Sequence, residues 1–389
     1  MMRPDTPKLS RYLSIPAILF LTLLALICCN SYQKSKQQRA QIAAKKEGPV
    51  VIAVAWPQAG NNRSLLNGIA LAVEQINQAG GIMGKELNTV HYNTIDASAH
   101  EVAKKIAQHR DIVAVIGHYT STEAIKASIT YEENGIIFLA PSATNPCLTS
   151  HDFEYVFRIV PSDTMIGRHM ARFTHDRGYQ KIVILDDNSI YGTGLADIFY
   201  TAAVDLKLEI VEHKVYFNWQ TDYRPLINGL SKTDFDAVFL AGQMPNAADV
   251  IKQFHEMGLP KPIIAGDSLD QSDLTTIAGP AANGTVVPSV FNPFSDAPRV
   301  KAFVLQFKAR FRTEPETWDA LGYDAIQLLA FSFNKSHTTV PIVVSATLRF
   351  TKHWQGVTGD FTFEPNGELS EKQLYFKQVR NGRFEYMEE

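Results

Sequence analysis

From residue 50 onward the chain alternates short apolar runs with longer amphipathic stretches. The runs are rich in Val and Ile, which is typical of buried strands in a parallel sheet. The stretches repeat apolar residues at helical spacing, and several end in Gly, a helix stop signal. Strands are predicted at Val51–Ala55, Leu87–Tyr92, Ile112–Ile116, Ile136–Leu139, Lys181–Leu185, Glu209–Tyr216, Ala237–Ala241 and Ile263–Ala265, and helices at Ser64–Gln78, Ala97–His109, Ser121–Asn134, Ser162–Arg177 and Gly194–Lys207. This alternation predicts an α/β fold.

Two neighbouring predicted strands each end in a cluster of hydroxyl groups. The first cluster is Gly117–Thr122 and the second is Ala140–Asn145. Ligands of open α/β sheets bind at the carboxyl ends of the strands, and hydroxyls beside a helix N-terminus suit a small carboxylate. An alternative is that Ser121 and Thr122 only cap a helix, which Glu123 supports, and that the second cluster is an ordinary turn.

The alternating pattern occurs twice before its character changes. Two successive α/β units predict two Rossmann-like lobes, joined by a hinge with a ligand cleft between them. Beyond Pro298 the pattern predicts two long helices, Val300–Phe311 and Trp318–Phe333, followed by extended stretches. The predicted division is 1–29 for an export signal, lipoprotein signal or membrane anchor, 30–48 for a polar linker, 49–163 and 292–350 for lobe 1, and 164–291 and 351–389 for lobe 2.

Composition and motifs favour a binding protein over an enzyme. The chain has 389 residues, 45% of them hydrophobic, and its net charge of −3 gives no reason to expect nucleic acid as a partner. Gly192-Thr193-Gly194 lacks the third Gly of a dinucleotide fingerprint, and the sequence contains no P-loop, H-E-x-x-H or G-x-S-x-G motif. Asp186 and Asp187 are predicted to be solvated loop carboxylates. No cofactor and no metal are therefore expected.

The N-terminus resembles a signal for export. Three basic residues precede an apolar run from Tyr12 to Cys29, as in a signal peptide. Cys29 directly follows this run, as in a bacterial lipoprotein processing site, although Cys28 stands where Gly or Ala is usual. Lipidation of Cys29, cleavage to a soluble protein and a retained helix all place the folded part outside the cytoplasm. Only Cys147 is then left, so no internal disulfide is expected.

An ordered series of short motifs carries a specific resemblance. The series is Gly117-His118 with Ser121, Tyr131-Glu132, Gly135-Ile136, Pro141–Pro146, Phe157-Arg158, Pro161–Asp163, Tyr191–Ala196, Gly258-Leu259, Gly266-Asp267 and Ile277–Gly279. In order and spacing it resembles the type I periplasmic binding proteins of the leucine/isoleucine/valine-binding family. The likeness covers nearly everything from Val51 to Phe384.

The resemblance implies a set of ligand-binding residues. By this match, the hydroxyls of Ser121 and Thr144 hold an α-carboxylate and the backbone carbonyl of Ser142 accepts from the α-ammonium. Tyr191 matches an aromatic residue of the second lobe, and Asp267 matches an acid that pairs with the ammonium. The full predicted set is Ser121, Ser142, Ala143, Thr144, Tyr191, Asp267, Trp56, Tyr119 and Gln243.

The last three of these concern ligand specificity. Gln243 stands where several relatives place an aromatic residue, which indicates a more polar cleft wall. Trp56 and Tyr119 are expected to shape the pocket for the ligand side chain, with burial as core aromatics as the alternative.

The resemblance also implies the function. It predicts an extracytoplasmic solute-binding protein that captures an amino acid, branched-chain or otherwise neutral, by closure of the lobes. The expected partners are the permease of an ABC importer and the membrane, through an N-terminal lipid or helix. An alternative with the same fold is a sensor for an amino acid, amide or other small carboxylate.

Overall fold

A computed structural model describes residues 32–45, 47–58 and 64–387. Within these residues two separate sheets are flanked by helices, and each sheet has its own buried clusters. The predicted α/β fold with two lobes is therefore confirmed. The predicted export signal, with Cys29, lies outside the described residues.

Lobe 1 is built on a five-stranded parallel sheet with the order β2-β1-β3-β4-β5. Its strands are β1 (Val50–Trp56), β2 (Leu87–Asn93), β3 (Ile112–Gly117), β4 (Ile137–Ala140) and β5 (Val156–Arg158). Its helices are α1 (32–44), α2 (Ser64–Gln78), α3 (Ala99–Gln108), α4 (Ser121–Asn134), α10 (Pro298–Phe311), α11 (Thr317–Ser336) and α12 (Pro341–Arg349). Every residue of β1 and β3 is buried, because helices cover both faces of the sheet. That is why these strands read as continuous apolar runs.

Lobe 2 is built on a seven-stranded sheet with the order β14-β13-β10-β9-β8-β6-β7. Its strands are β6 (Lys181–Asp186), β7 (Glu209–Val215), β8 (Ala237–Ala241), β9 (Ile263–Ala265), β10 (Val286–Ser289), β13 (Tyr375–Arg380) and β14 (Arg383–Tyr386). Its helices are α5 (Asp163–Asp176), α6 (Ile190–Asp205), α7 (Arg224–Leu230), α8 (Asn246–Glu256) and α9 (Asp273–Ala278). The first five strands in chain order pair in parallel, and the last two add an antiparallel edge.

The chain passes between the lobes three times. It crosses after β5, after β10 and again before β13. The predicted boundary at residue 351 needs a correction, because Phe361, Phe363 and Leu369 are buried among the strands of lobe 1. The short hairpin of β11 (Trp354–Gly356) and β12 (Gly359–Phe361) is held there by the Asp324 carboxylate of α11, which accepts from two N–H groups of its turn. The last crossing therefore lies between Leu369 and Tyr375.

The predicted polar linker is also corrected, because residues 32–44 form helix α1. Its Arg39 side chain is fully buried. The guanidinium donates to the backbone carbonyls of Ala107, His109, Ile112 and Asn134. Three of these carbonyls lie at or just beyond the C-terminal ends of α3 and α4, where helix geometry leaves acceptors without partners, and the carbonyl of Ile112 belongs to the first residue of β3. A single arginine thus docks α1 on the base of lobe 1.

Burial, with a smaller contribution from Arg110, lowers the pKa of Arg39 to about 9. The guanidinium therefore stays charged at neutral pH and keeps all its donors. Among the described helices, none combines the length and apolar character that crossing a membrane requires.

Candidate functional site

The carboxyl ends of both sheets face a cleft between the lobes. The residues that line it are Tyr119, Ser121 and Ser142 from lobe 1, Tyr191, Gln243, Asp267 and Ser268 from lobe 2, and Trp318 at the start of α11. Six of these belong to the predicted site, whereas Trp318 and Ser268 do not. The space between these residues, about 340 Å³, includes open solvent at the mouth of the cleft.

Ser121 is free to face the cleft because another residue caps α4. The N-cap is Thr120, whose side chain accepts from the backbone N–H of Glu123, and the Glu123 carboxylate binds back to Thr120 in a capping box. The capping signal in the sequence is therefore real but belongs to Thr120. Ser121, in the first turn, adds a hydroxyl to the positive end of the helix dipole.

The second hydroxyl cluster is divided between the cleft and the protein interior. Ser142 lines the cleft, while its hydroxyl donates to the carbonyls of His118 and Tyr119 at 2.8 and 2.9 Å. Ala143 and Thr144 are fully buried behind it and do not line the cleft. Among the described residues the Thr144 hydroxyl has no hydrogen-bond partner.

Asp163 lies beside Thr144 at the first crossing between the lobes. Its backbone N–H donates to the Thr144 carbonyl at 2.8 Å. Its buried carboxyl oxygens form no hydrogen bond of normal geometry in the described part of the chain, although the nearby Thr144 hydroxyl lowers the pKa of Asp163. Burial, and then the negative charge of Asp267, raise the pKa of Asp163 to about 8. This side chain is therefore mostly a neutral acid at pH 7.

The opposite wall of the cleft carries an acid held by a tyrosine. The Tyr191 hydroxyl donates to Asp267 Oδ1 at 2.9 Å. A Cβ at Gly266 would lie 2.2 Å from the Tyr191 oxygen, so only glycine permits this approach. Burial raises the pKa of Asp267 to about 6, although the Tyr191 hydrogen bond opposes the shift. Asp267 is therefore mostly a carboxylate at neutral pH.

Tyr191 reaches this position because α6 begins earlier than predicted. The sequence predicts a start at Gly194, whereas the helix begins at Ile190. Ser189 is the N-cap, and its hydroxyl accepts from the backbone N–H of Gly192 at 2.9 Å. The Gly-rich segment is thus the first helical turn, which directs Tyr191 toward Asp267.

The adjacent acids Asp186 and Asp187 support this wall from within. They are predicted to be solvated, but both are buried. Asp187 accepts from the backbone N–H of Gln243 at 2.9 Å, and Asp186 binds His213 at 2.8 Å. The prediction fails because β7 and the segment after β8 supply partners that are distant in sequence.

Three aromatic rings close one side of the cleft. The Trp56 and Tyr119 rings meet edge to face with centroids 5.1 Å apart, and Trp318 lies 6.1 Å from Trp56 and 6.4 Å from Tyr119. Tyr119 and Trp318 line the cleft, whereas Trp56 packs behind them. No local pattern singled out Trp318, since it simply opens a predicted helix far along the chain. Ser268 could have been found as the neighbour of Asp267.

The lobes also touch directly beside Ser121. The Asn145 side chain of lobe 1 donates to the Ile190 carbonyl at the start of α6 at 2.8 Å. A Cβ at Gly194 would lie 2.4 Å from that same amide nitrogen. A side chain at position 194 would therefore displace the Asn145 amide from the Ile190 carbonyl.

The site can bind a molecule with one anionic and one cationic group. Ser121 and the N-terminus of α4 offer donors on one wall, and Asp267 offers an acceptor on the other. Among the described residues no group of His, Cys, Asp and Glu has the arrangement of a metal site. Cys147 is an exposed free thiol outside the lining.

Comparison with known proteins places the chain in a family with the same two-lobed fold. The model of the family described as "Periplasmic binding protein" matches residues 49–383. The Leu/Ile/Val-binding protein homolog 1 of Brucella suis is 28% identical over 347 residues, which cover 87% of this chain and 92% of that protein.

Solved structures with the same fold include complexes with amino acids. An ABC transporter substrate-binding protein from Desulfitobacterium hafniense in complex with Leu is 32% identical, with a TM-score of 0.78 over 87% of this chain and 100% of that one. The branched-chain amino acid transporter substrate-binding protein LivJ of Streptococcus pneumoniae, in complex with isoleucine, is 27% identical, with a TM-score of 0.81 over 87% and 98%.

Proposed function

Because the chain belongs to the periplasmic binding protein family, we propose that it captures an α-amino acid outside the cytoplasm and delivers it to an ABC importer. The observation that carries the proposal is the division of charge across the cleft. Ser121 at the N-terminus of α4 faces Asp267, which Tyr191 holds in place. Relatives that bind leucine and isoleucine support the same class of ligand.

Closure of the lobes is the proposed mechanism of capture. A ligand bound only to lobe 1 leaves its ammonium without the Asp267 carboxylate, and a ligand bound only to Asp267 leaves its carboxylate in water. A zwitterion bridging both walls makes charge-assisted hydrogen bonds to each lobe, and these form together only in the closed state. The ligand therefore shifts the equilibrium toward closure by its differential affinity for that state.

We assign roles to the site residues on the same basis. Ser121 donates to the carboxylate, with Thr144 and Ala143 forming the floor beneath that wall. The Ser142 carbonyl and the Asp267 carboxylate accept from the ammonium. Tyr119, backed by Trp56, and Gln243 from the other lobe contact the ligand side chain.

The proposed partners follow from the family and the N-terminus. The importer would supply a permease that receives the ligand. Attachment to the membrane, through a lipid on Cys29 or a retained helix, is proposed from the sequence alone. No catalytic step is proposed.

The test is a calorimetric panel with the full chain in detergent. We expect an α-amino acid to bind with a Kd of about 1 μM or below, and Asp267→Ala to weaken it severely because a buried ammonium loses its partner. Asp296→Asn, at a fully exposed surface pair, is the matched control and should leave the Kd unchanged. Binding of amides, urea or aromatic acids with no response to any α-amino acid would overturn the proposal.

A further inference from the structure

The aromatic side of the cleft contains a buried donor without an acceptor. Trp318 is 7% exposed, and its indole Nε1–H has no hydrogen-bond partner among the described residues. The ring borders both the cleft and a small cavity behind it, and Asp267 lines both spaces. Buried N–H groups are nearly always paired, so this donor indicates a partner that the chain itself does not provide.

Across the cleft a second polar group is available. Gln243 is partly buried, and Asp187 holds its backbone N–H at 2.9 Å. The side-chain amide of Gln243 makes no hydrogen bond to any residue that the structure describes, while its lining position exposes it to the cleft. The site therefore places one donor and one amide on opposite sides of the space left for a ligand side chain.

Resting on the proposed function, we infer that the cleft prefers amino acids with a short, neutral side chain that carries an oxygen acceptor. A hydroxyl or amide oxygen would accept from the Trp318 indole and exchange a hydrogen bond with Gln243. An apolar side chain of the same shape would leave both groups buried and unpaired, which costs free energy. The three aromatic rings that close this side of the cleft limit the side chain to a short one.

Two nearly isosteric ligand pairs isolate the effect. Threonine against valine, and asparagine against leucine, change polarity with little change in shape. One buried neutral hydrogen bond is worth about 1 kcal/mol, which corresponds to a Kd ratio of about five. We therefore expect the full chain in detergent to bind threonine at least about fivefold more tightly than valine. Asparagine should likewise bind more tightly than leucine.

Substitutions then assign the preference to these side chains. Trp318→Phe removes the indole N–H and Gln243→Met removes the amide at similar length, so each should bring the threonine-to-valine ratio toward one. The ratio is the readout because it is independent of any general loss of affinity or stability. Equal or tighter binding of valine, or a ratio unchanged in Trp318→Phe, would overturn the inference and leave the proposed function standing. Absence of binding by all α-amino acids would instead overturn the proposed function, and the inference with it.

Discussion

Lowering the pH from 7 to 5 should weaken the binding of an α-amino acid about tenfold. The pKa of Asp267 in the unliganded protein is about 6, so the carboxylate that accepts the ammonium is mostly present at pH 7 and mostly protonated at pH 5. Only the ionised form pairs with the ammonium. The fraction of binding-competent protein thus falls from about nine tenths to about one tenth, and the Kd rises by the same factor.

Neighbouring groups do not add to the change over this interval. Asp163 has a pKa of about 8 and is already protonated at pH 7. Burial lowers the pKa of His118 to about 3, so this ring stays neutral throughout. Tyr191, whose pKa is raised by burial, does not ionise. The dependence is therefore assigned to Asp267 alone.

Isothermal titration between pH 5 and 7 measures the effect directly. Asp267→Asn should bind tenfold or more weakly at pH 7, because it loses a hydrogen bond between charged groups, and should show no further weakening at pH 5. An affinity that is constant or improves at pH 5 in the unmodified chain would refute the pairing of Asp267 with the ammonium.

Three further substitutions, one with a matched control, test the docking of α1, the contact between the lobes and the role of Thr144. Arg39→Met should lower the free energy of unfolding by about 3 kcal/mol, since it leaves several buried carbonyls unpaired. Thermal unfolding measures this loss, which should be the same with and without the amino acid. Gly194→Ala should weaken ligand binding, because it displaces the Asn145 amide and removes its hydrogen bond to the Ile190 carbonyl across the lobes. Gly229→Ala, where an added Cβ meets nothing within 4 Å, should leave binding unchanged and raise stability by about 0.5 kcal/mol; equal Kd values for the two alanine variants would contradict the proposed contact. Thr144→Val should leave the Kd unchanged, because Thr144 is buried behind the lining; a loss of affinity of about tenfold, measured by titration, would show that its hydroxyl reaches the ligand carboxylate.

The strands were predictable because their signal is local. The run predicted at Lys181–Leu185 differs from β6 by one residue, since a strand covered on both faces needs only continuous apolar side chains. Gly135 also ends α4 as predicted, with a left-handed backbone. Such features depend on neighbours within a few residues.

The remaining features depend on contacts between distant segments. Arg39 binds carbonyls about 70 and 95 residues away, so its own neighbourhood looks like a polar linker. Asp187 is buried because Gln243 reaches it from 56 positions along the chain. Trp318 joins the site only because the chain returns to lobe 1 at the second crossing, after β10, and no spacing rule connects it with Asp267. Local patterns located the hydroxyl wall of the site and the family resemblance added Tyr191 and Asp267 of the other wall, while Trp318 on the aromatic side needed the folded chain.

The docking of α1 also sets the length of any tether to a membrane. With a lipid on Cys29, the three peptide units from there to Tyr32 span at most about 10 Å even when fully extended. Lobe 1 would then behave as a body held at the bilayer surface, and hinge rotation would be carried by lobe 2 alone. The protein would then meet an importer by lateral diffusion along the membrane, at a nearly fixed height above it. The rate of these encounters would depend on the orientation of lobe 1 and not on the concentration of free protein.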